Sequence, residues 1–367
     1  MIRYYRNILL CFFYFSLISG QAQSKYSYTH PIPFQPESYV CLKAIEPIII
    51  DGKDTESSWE KAVWTNDFVD IEGDQKPKPY LKTNVKMIWD DQALYFYAKL
   101  YEPHVWAKLK LRDTVIFYDD DFEIFIDPDG DTHNYYEIEV NALNTVWDLF
   151  LLKPYRADHL PNVMMNWNLN NMKSAVHVEG SLNNAKDIDK FWAVECAIPW
   201  SALREFASKS KIPDEGDQWR INFSRVDWDM NNDNYSKLTD PKTDKSLPER
   251  NWVWSPTGFI NMHMPETWGF VQFSKNPVGT NNIFVKKEDE QIKWGLWNLY
   301  WQMRKYHKEH DIYTNELANF SMPKVDNCNW QPEVFITPYH FEITNPSCDN
   351  KGKWIIQTDG RIYLKVE

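Results

Sequence analysis

The chain has 367 residues, a formal charge of −12, 43% hydrophobic residues and an aromatic share of 16% that includes 18 Trp. A chain of this length holds one large or two ordinary domains with a sizeable core, and acids spread along it exclude the basic face that nucleic acid requires. So many rings exceed what packing alone needs and suit a recognition surface.

Residues 1–22 read as a secretory leader. Arg3 and Arg6 form a positive start, Ile8 to Ile18 a short apolar run, and Gly20 and Ala22 stand at −3 and −1 of a cut before Gln23. The apolar run is too short to span a bilayer, and no later segment is long and apolar enough. Export implies a periplasmic, cell-surface or extracellular protein in a compartment that permits disulfides. Of the four later cysteines, Cys328 and Cys348 are close enough in sequence to pair, while Cys196 sits in an apolar strand as a buried thiol.

The mature chain opens with an extended Pro-, Ser- and Tyr-rich lead-in at 23–37. A short strand and turn follow at Ile48 to Gly52, then a short helix carrying Trp59, Ala62 and Val63. Thr83 to Trp89 and Ala93 to Tyr101 alternate as a hairpin across Asp90-Asp91-Gln92.

Phe117 to Gly130 reads F-Y-D-D-D-F-E-I-F-I-D-P-D-G. It is a strand with apolar Phe122, Ile124 and Ile126, an internal Glu123, and Asp119 to Asp121 at its mouth. Such carboxylates can bond hydroxyls, bind a hard cation, or simply be solvated. At the far end, Asp127, Asp129 and Asp131 put alternate carboxylates in a turn. That pattern suits a plain Asp-rich turn and, as the alternative, structural calcium with oxygen ligands. It is not an EF-hand, because the glycine is misplaced and no glutamate closes the loop.

Hairpins follow at Asn134 to Leu152 and at Ser174 to Ala197, then strands at Gln218 to Trp228, Asn251 to Trp254 and Trp268 to Phe273. About ten short strands with almost no long helix predict an antiparallel β-sandwich of jelly-roll kind over 38–275. Residues 276–290 read as a linker. Residues 291–367 read as a small α+β appendix, with a helix at Ile292 to Phe320 and four short strands. The Trp294, Trp297 and Trp301 stripe on that helix marks a packed face.

Several segments in order resemble the family 9 carbohydrate-binding module. They are I-D-G with Trp59 downstream, N-V-K-M-I-W-D-D-Q-A-L-Y-F-Y-A, D-D-D-F-E-I-F-I-D-P, Y-Y-E-I-E-V-N-A, F-W-A-V-E-C-A-I-P-W, W-R-I-N-F-S-R-V-D, and W-V-W-S-P before P-E-T-W-G-F-V-Q-F. The resemblance covers about residues 38–274. It implies a β-sandwich that holds a sugar between two rings, with polar side chains on its hydroxyls and structural calcium in some members. By position, one ring falls at Phe117, with Tyr118 as substitute, and the other at Trp254. The polar glutamate falls at Glu123, and Asn141 joins the polar set. Where the resemblance implies a cationic side chain, just before V-N, this chain has Glu139. A core position satisfies Trp254 equally well, and Trp147 reads as core.

The resemblance implies a secreted, non-catalytic binder of oligo- or polysaccharide of the xylan or glucan kind, working beside separate glycoside hydrolase partners. No nucleophile motif, triad order or phosphate loop supports another enzyme class. Weak hydrolysis of O-glycosyl compounds by a carboxylate pair such as Glu123 and Glu139 is the enzymatic alternative. An envelope interaction module on the same scaffold is the third reading. Arg225 is expected to pair with Glu123 or Glu195.

Overall fold

The computed structural model describes residues 26–157, 162–203, 207, 212–231 and 234–366, so the leader expected at 1–22 lies outside the described residues. The strands, in chain order, are β1 (Ser38–Lys43), β2 (Val69–Asp70), β3 (Thr83–Trp89), β4 (Ala93–Tyr101), β5 (Asp121–Asp127), β6 (Tyr135–Asn141) and β7 (Val146–Leu151). Then come β8 (Val163–Met164), β9 (Lys173–Glu179), β10 (Phe191–Pro199), β11 (Gln218–Asp227), β12 (Met230–Asn231), β13 (Ser236–Lys237), β14 (Arg250–Val253) and β15 (Gly269–Pro277). The C-terminal part adds β16 (Glu333–Ile336), β17 (Phe341–Pro346), β18 (Gly352–Gln357) and β19 (Ile362–Val366). The helices are α1 (Ser57–Lys61), α2 (Trp200–Leu203) and α3 (Asp289–His310).

One sheet path, β8-β7-β6-β5-β11-β15-β1-β3-β4-β10-β9, folds back on itself as a two-layered sandwich, with β14 and β2 attached beside β11. Alternation sets the layers. Phe122, Ile124 and Ile126 of β5 and Tyr136, Ile138 and Val140 of β6 point inward. They share one core with Met87, Phe96, Ala98, Val194 and Cys196 from the other layer. Phe96 meets Phe223 across it at 5.6 Å. Each such fully buried side chain contributes about 1.5–3 kcal/mol of transfer free energy.

The expected antiparallel sheet needs one correction. Strand β1 pairs parallel with both β15 and β3 and closes the path between the layers. Its residues were expected to lie in or next to the extended lead-in. Its partners are distant in sequence, so no local turn signal marks them. Ile48 to Ile50, expected as a strand, has no ladder partner.

The C-terminal part is a four-stranded antiparallel sheet packed on α3. Cys328 and Cys348 are joined as a disulfide, whereas Cys41 and Cys196 are free and buried. The lead-in also belongs to this core. Tyr26 is buried and forms a bridge with Phe320, Tyr28 stacks on Trp301, and Phe34 stacks on Trp294 at 4.2 Å. The Trp stripe of α3 therefore packs against the lead-in as well as the small sheet. Arg220 on β11 reaches Glu290 of α3 at 2.9 Å, tying the sandwich to the helix.

Candidate functional site

The outer face of β5, β6 and β7 is acidic where the inner face is apolar. Antiparallel register sets Glu123 of β5 directly opposite Glu139 of β6, and Phe125 opposite Glu137. Glu137 and Glu139 share a face because they are two residues apart on a strand. Like charges directly opposite each other destabilise a sheet, so this arrangement violates a local rule at one place. Such violations concentrate at functional sites.

A cavity of about 300 Å³ opens over these carboxylates. Phe117, Phe125, Trp147 and Tyr155 give it rings, Glu123, Glu137, Glu139 and Glu249 give it acid, and Asn251 and His263 add polar groups. Among the described residues, no Lys or Arg lines it. Burial pushes the Glu123 carboxyl up to about 7, with Glu249 adding to the rise and the Ser224 hydroxyl opposing it. Burial also raises Glu137 and Glu139 well above the carboxylate range, and their mutual repulsion with Glu123 adds to it. His263 goes the other way, lowered to about 3 by burial and by the Arg156 charge, so it is neutral. Its Nδ1 lies 2.9 Å from the Tyr135 hydroxyl.

The structure brings together three of the expected site residues and separates the others. Phe117 lines the cavity, and its backbone N–H donates to Glu139 Oε2 at 3.0 Å. Glu123 and Glu139 form the floor. Tyr118 is turned outward, 55% exposed, with Lys237 over its ring at 5.5 Å. Asn141 is a correction. It is fully buried, and its Oδ1 accepts the Leu143 and Thr145 N–H groups while its Nδ2 donates to Leu109 O and Asp119 Oδ2. Its amide closes the β6–β7 turn and is not offered to a ligand.

Trp254 is the second correction. The ring is 2% exposed, packs on Phe223 at 5.7 Å, and lies against Gly269, where an added Cβ would stand 2.4 Å from it. It belongs to the inner core and touches a different cavity, so it does not face Phe117. Trp147, expected as core, is buried in an apolar cluster with Ile116 and Leu149 and also presents its ring to the acidic cavity. Arg225 pairs with Glu102 and Asp227 rather than with Glu123 or Glu195. It shares the inward parity of Phe223 and Phe122, whereas Glu123 faces outward. Glu195 accepts from Trp59 Nε1 and from the Asp51 and Gly52 N–H groups.

Sequence reasoning overlooked Glu137, Tyr155, Asn251 and His263. Glu137 had a signal: two residues before Glu139 on an alternating strand, it must share that face. The other three come from separate segments that only the tertiary fold brings together.

Two acidic groups could hold a metal. In Asp121, Glu123 and Glu139, and again in Asp127, Asp129 and Asp131, one carboxylate oxygen per residue lies within 4.8 Å of the others. In the second group, Asp127 accepts the Gly130 and Thr132 N–H groups, and Asp131 accepts the His133 N–H and Arg361 Nε at 2.8 Å. Ile362 N–H also donates to Asp131 O, so this turn is where the C-terminal part docks.

The fold and site define a β-sandwich with a ring- and acid-lined cavity on one outer face, the layout of a binding module. A family model described as carbohydrate family 9 binding domain-like matches residues 50–252, more than half of the chain, and the chain belongs to that family. Among solved structures, it is similar to a family 9 carbohydrate-binding module from Caldicellulosiruptor kristjanssonii in complex with cellotriose, at 15% identity and TM-score 0.41 over 68% of this chain and all of that one. The match to that organism's module with glucose has 16% identity and TM-score 0.42, over 67% of this chain and 99% of that one. A Bacteroides uniformis protein provisionally called carbohydrate-binding matches at 16% identity and TM-score 0.48, over 65% of this chain and all of that one. No curated protein matches the chain. No helix among the described residues is long and apolar enough to cross a membrane.

Proposed function

We propose that the protein is an exported carbohydrate-binding protein that takes one sugar unit of a glucan- or xylan-type chain into the cavity over β5, β6 and β7. The observation that carries this is the lining, in which Phe117, Trp147 and Tyr155 stand beside Glu123, Glu137, Glu139 and Asn251. A pyranose offers a C–H face to rings and a rim of hydroxyls to carboxylates and amides. A cavity of this size buries few atoms and must desolvate each hydroxyl, so affinity is modest. Export is supported by the leader pattern at 1–22, and a role beside separate hydrolases is part of the same reading.

The test is calorimetric titration of the full mature chain with cello- and xylo-oligosaccharides, with Trp147→Ala and Phe117→Ala alongside. Saturable binding, weakened at least tenfold in both variants with the fold intact, supports the reading. No binding to any oligosaccharide, or binding untouched in both variants, rejects it.

The hydrolytic alternative has one observation in its favour. Glu123 is held near 7 while an oxygen of Glu139 lies within 4.8 Å of it. A short carboxyl separation suits a nucleophile and acid pair better than an arrangement that admits water between them. Release of reducing ends that disappears in Glu123→Gln would favour hydrolysis over binding alone.

A further inference from the structure

We propose that Asp121, Glu123 and Glu139 hold one hard divalent cation, of the calcium, magnesium or manganese kind, in the floor of the cavity. The inference rests on the binding reading of that cavity and deepens it: the sugar site is built over a metal. It concerns a different place from the Asp127 to Asp131 turn.

Two oxygens bound to one calcium at about 2.3–2.6 Å can be no more than about 5 Å apart. The three carboxylates meet that limit, each offering an oxygen within 4.8 Å of the other two, whereas magnesium, with bonds of about 2.1 Å, would need them drawn closer.

Asp121 is fully buried, and among the described residues neither carboxylate oxygen has a hydrogen-bond partner. The Val226 amide on the facing strand favours its charged form. Buried polar atoms are almost always satisfied, and a buried charge is paired or coordinates a metal. Glu137 Oε2, on the same face, is also buried without a partner.

Among the described residues, no Lys, Arg or His forms an ion pair with Asp121, Glu123 or Glu139. Arg225 is on the inner face with Glu102 and Asp227. Lys237 lies over Trp228 at 3.0 Å and beside Tyr118.

The carboxylate donors set the class of ion. Three hard oxygen ligands without thiol or imidazole select calcium, magnesium or manganese over zinc or copper. The competing state is a cluster that stays protonated, each proton held by burial.

The test uses the full mature chain stripped with chelator, then titrated calorimetrically with CaCl2, MgCl2 and MnCl2. Terbium luminescence gives a second readout, since Trp147 lies directly across the ladder from Glu139 and can sensitise a bound ion. The expected result is one ion per chain, with affinity falling at least tenfold in Asp121→Asn and in Glu139→Gln and unchanged in Asp129→Asn. Thermal unfolding in chelator shows whether each variant is folded. The ion should raise the wild-type midpoint and not that of Asp121→Asn. Absence of binding at millimolar ion overturns the proposal, as does binding that survives Asp121→Asn and Glu139→Gln but is lost in Asp129→Asn. Sugar titrations with and without metal separate the two claims. Metal binding with no sugar binding in either condition rejects the sugar site alone, and sugar binding without any metal binding rejects the metal alone.

Discussion

Strand β5 carries acid at both ends of its outer face, and the two ends are handled differently. At the far end, the 127–131 turn surrounds its carboxylates with donors: the Gly130, Thr132 and His133 N–H groups and the Arg361 guanidinium. At the near end, Glu139 accepts the Phe117 N–H, and the Ser224 hydroxyl and the Val226 amide favour the charged forms of Glu123 and Asp121, but no cation among the described residues pairs with the three carboxylates. The first end reads as a structural joint that seats the C-terminal part. The second leaves Asp121 buried without a partner among the described residues, beside Glu123 and Glu139, which line the cavity. An acidic cluster therefore says little until its donors are counted.

Four measurements sharpen or break this contrast, from the largest expected effect to the smallest. Asp127→Ala leaves the buried Thr132 N–H and the part-buried Gly130 N–H without an acceptor and should cost about 2–4 kcal/mol in urea unfolding. A loss below about 0.5 kcal/mol would mean the turn is not held by its carboxylates.

The second measurement is pH dependence in chelator. Glu123 has a folded value near 7 against an ordinary 4.5, so the folded state binds the extra proton. Its contribution is present below about 4.5 and is lost as pH rises through 7. His263 has the opposite sign: its folded value near 3 gives a contribution that is present above 6.5 and lost as pH falls toward 3. Between pH 6.5 and 8.5 the histidine is silent, and Glu123 should lower stability by roughly 0.8 kcal/mol, with Glu102 and Glu195, also raised to about 7, adding to the fall. A fall no smaller in Glu123→Gln than in the wild type would contradict the burial of Glu123.

Third, Asp121→Asn removes one of several crowded buried acids. At pH 8 in chelator it should leave stability unchanged or raise it by about 1 kcal/mol, the reverse of Asp127→Ala. A loss of the size seen at Asp127 would erase the difference between the two ends. Last, Arg361→Met should cost only about 0.5 kcal/mol, because the guanidinium is half exposed and solvent screens its pair with Asp131. A cost several times larger, read by the same urea unfolding, would make that pair the main joint and not an accessory to the backbone bonds beside it.

Parts of this were legible in the chain. The β3–β4 hairpin has the residue limits that alternation around Asp90-Asp91-Gln92 marks, Thr83–Trp89 and Ala93–Tyr101. The inward set of β5 and the outward Glu123 follow from a period of two. The same period held information that went unused, since Arg225 shares the parity of Phe223 and cannot meet an outward Glu123. The late W-V-W-S segment shows the limit. Trp252 and Trp254 alternate with Val253, but no local pattern says which face of β14 meets which layer.

What the sequence by itself determined is the class: a strand-rich, acidic, aromatic chain with the ordered segments of a family 9 binding domain, and an acid placed on a strand face where an apolar residue would pack better. These are properties of alternation, turn chemistry and composition, all local in the chain. Only the tertiary structure decided that β1 closes the sheet by parallel pairing, that Trp254 is core and Trp147 a wall of the cavity, and that Asn141 completes a turn. It alone decided that the carboxylates of the 127–131 turn meet donors while Asp121, beside Glu123 and Glu139, does not. The reason is physical. Burial and hydrogen-bond satisfaction depend on which distant segments arrive, and Phe117, Tyr155, Asn251 and His263 reach one cavity only after the layers have folded together.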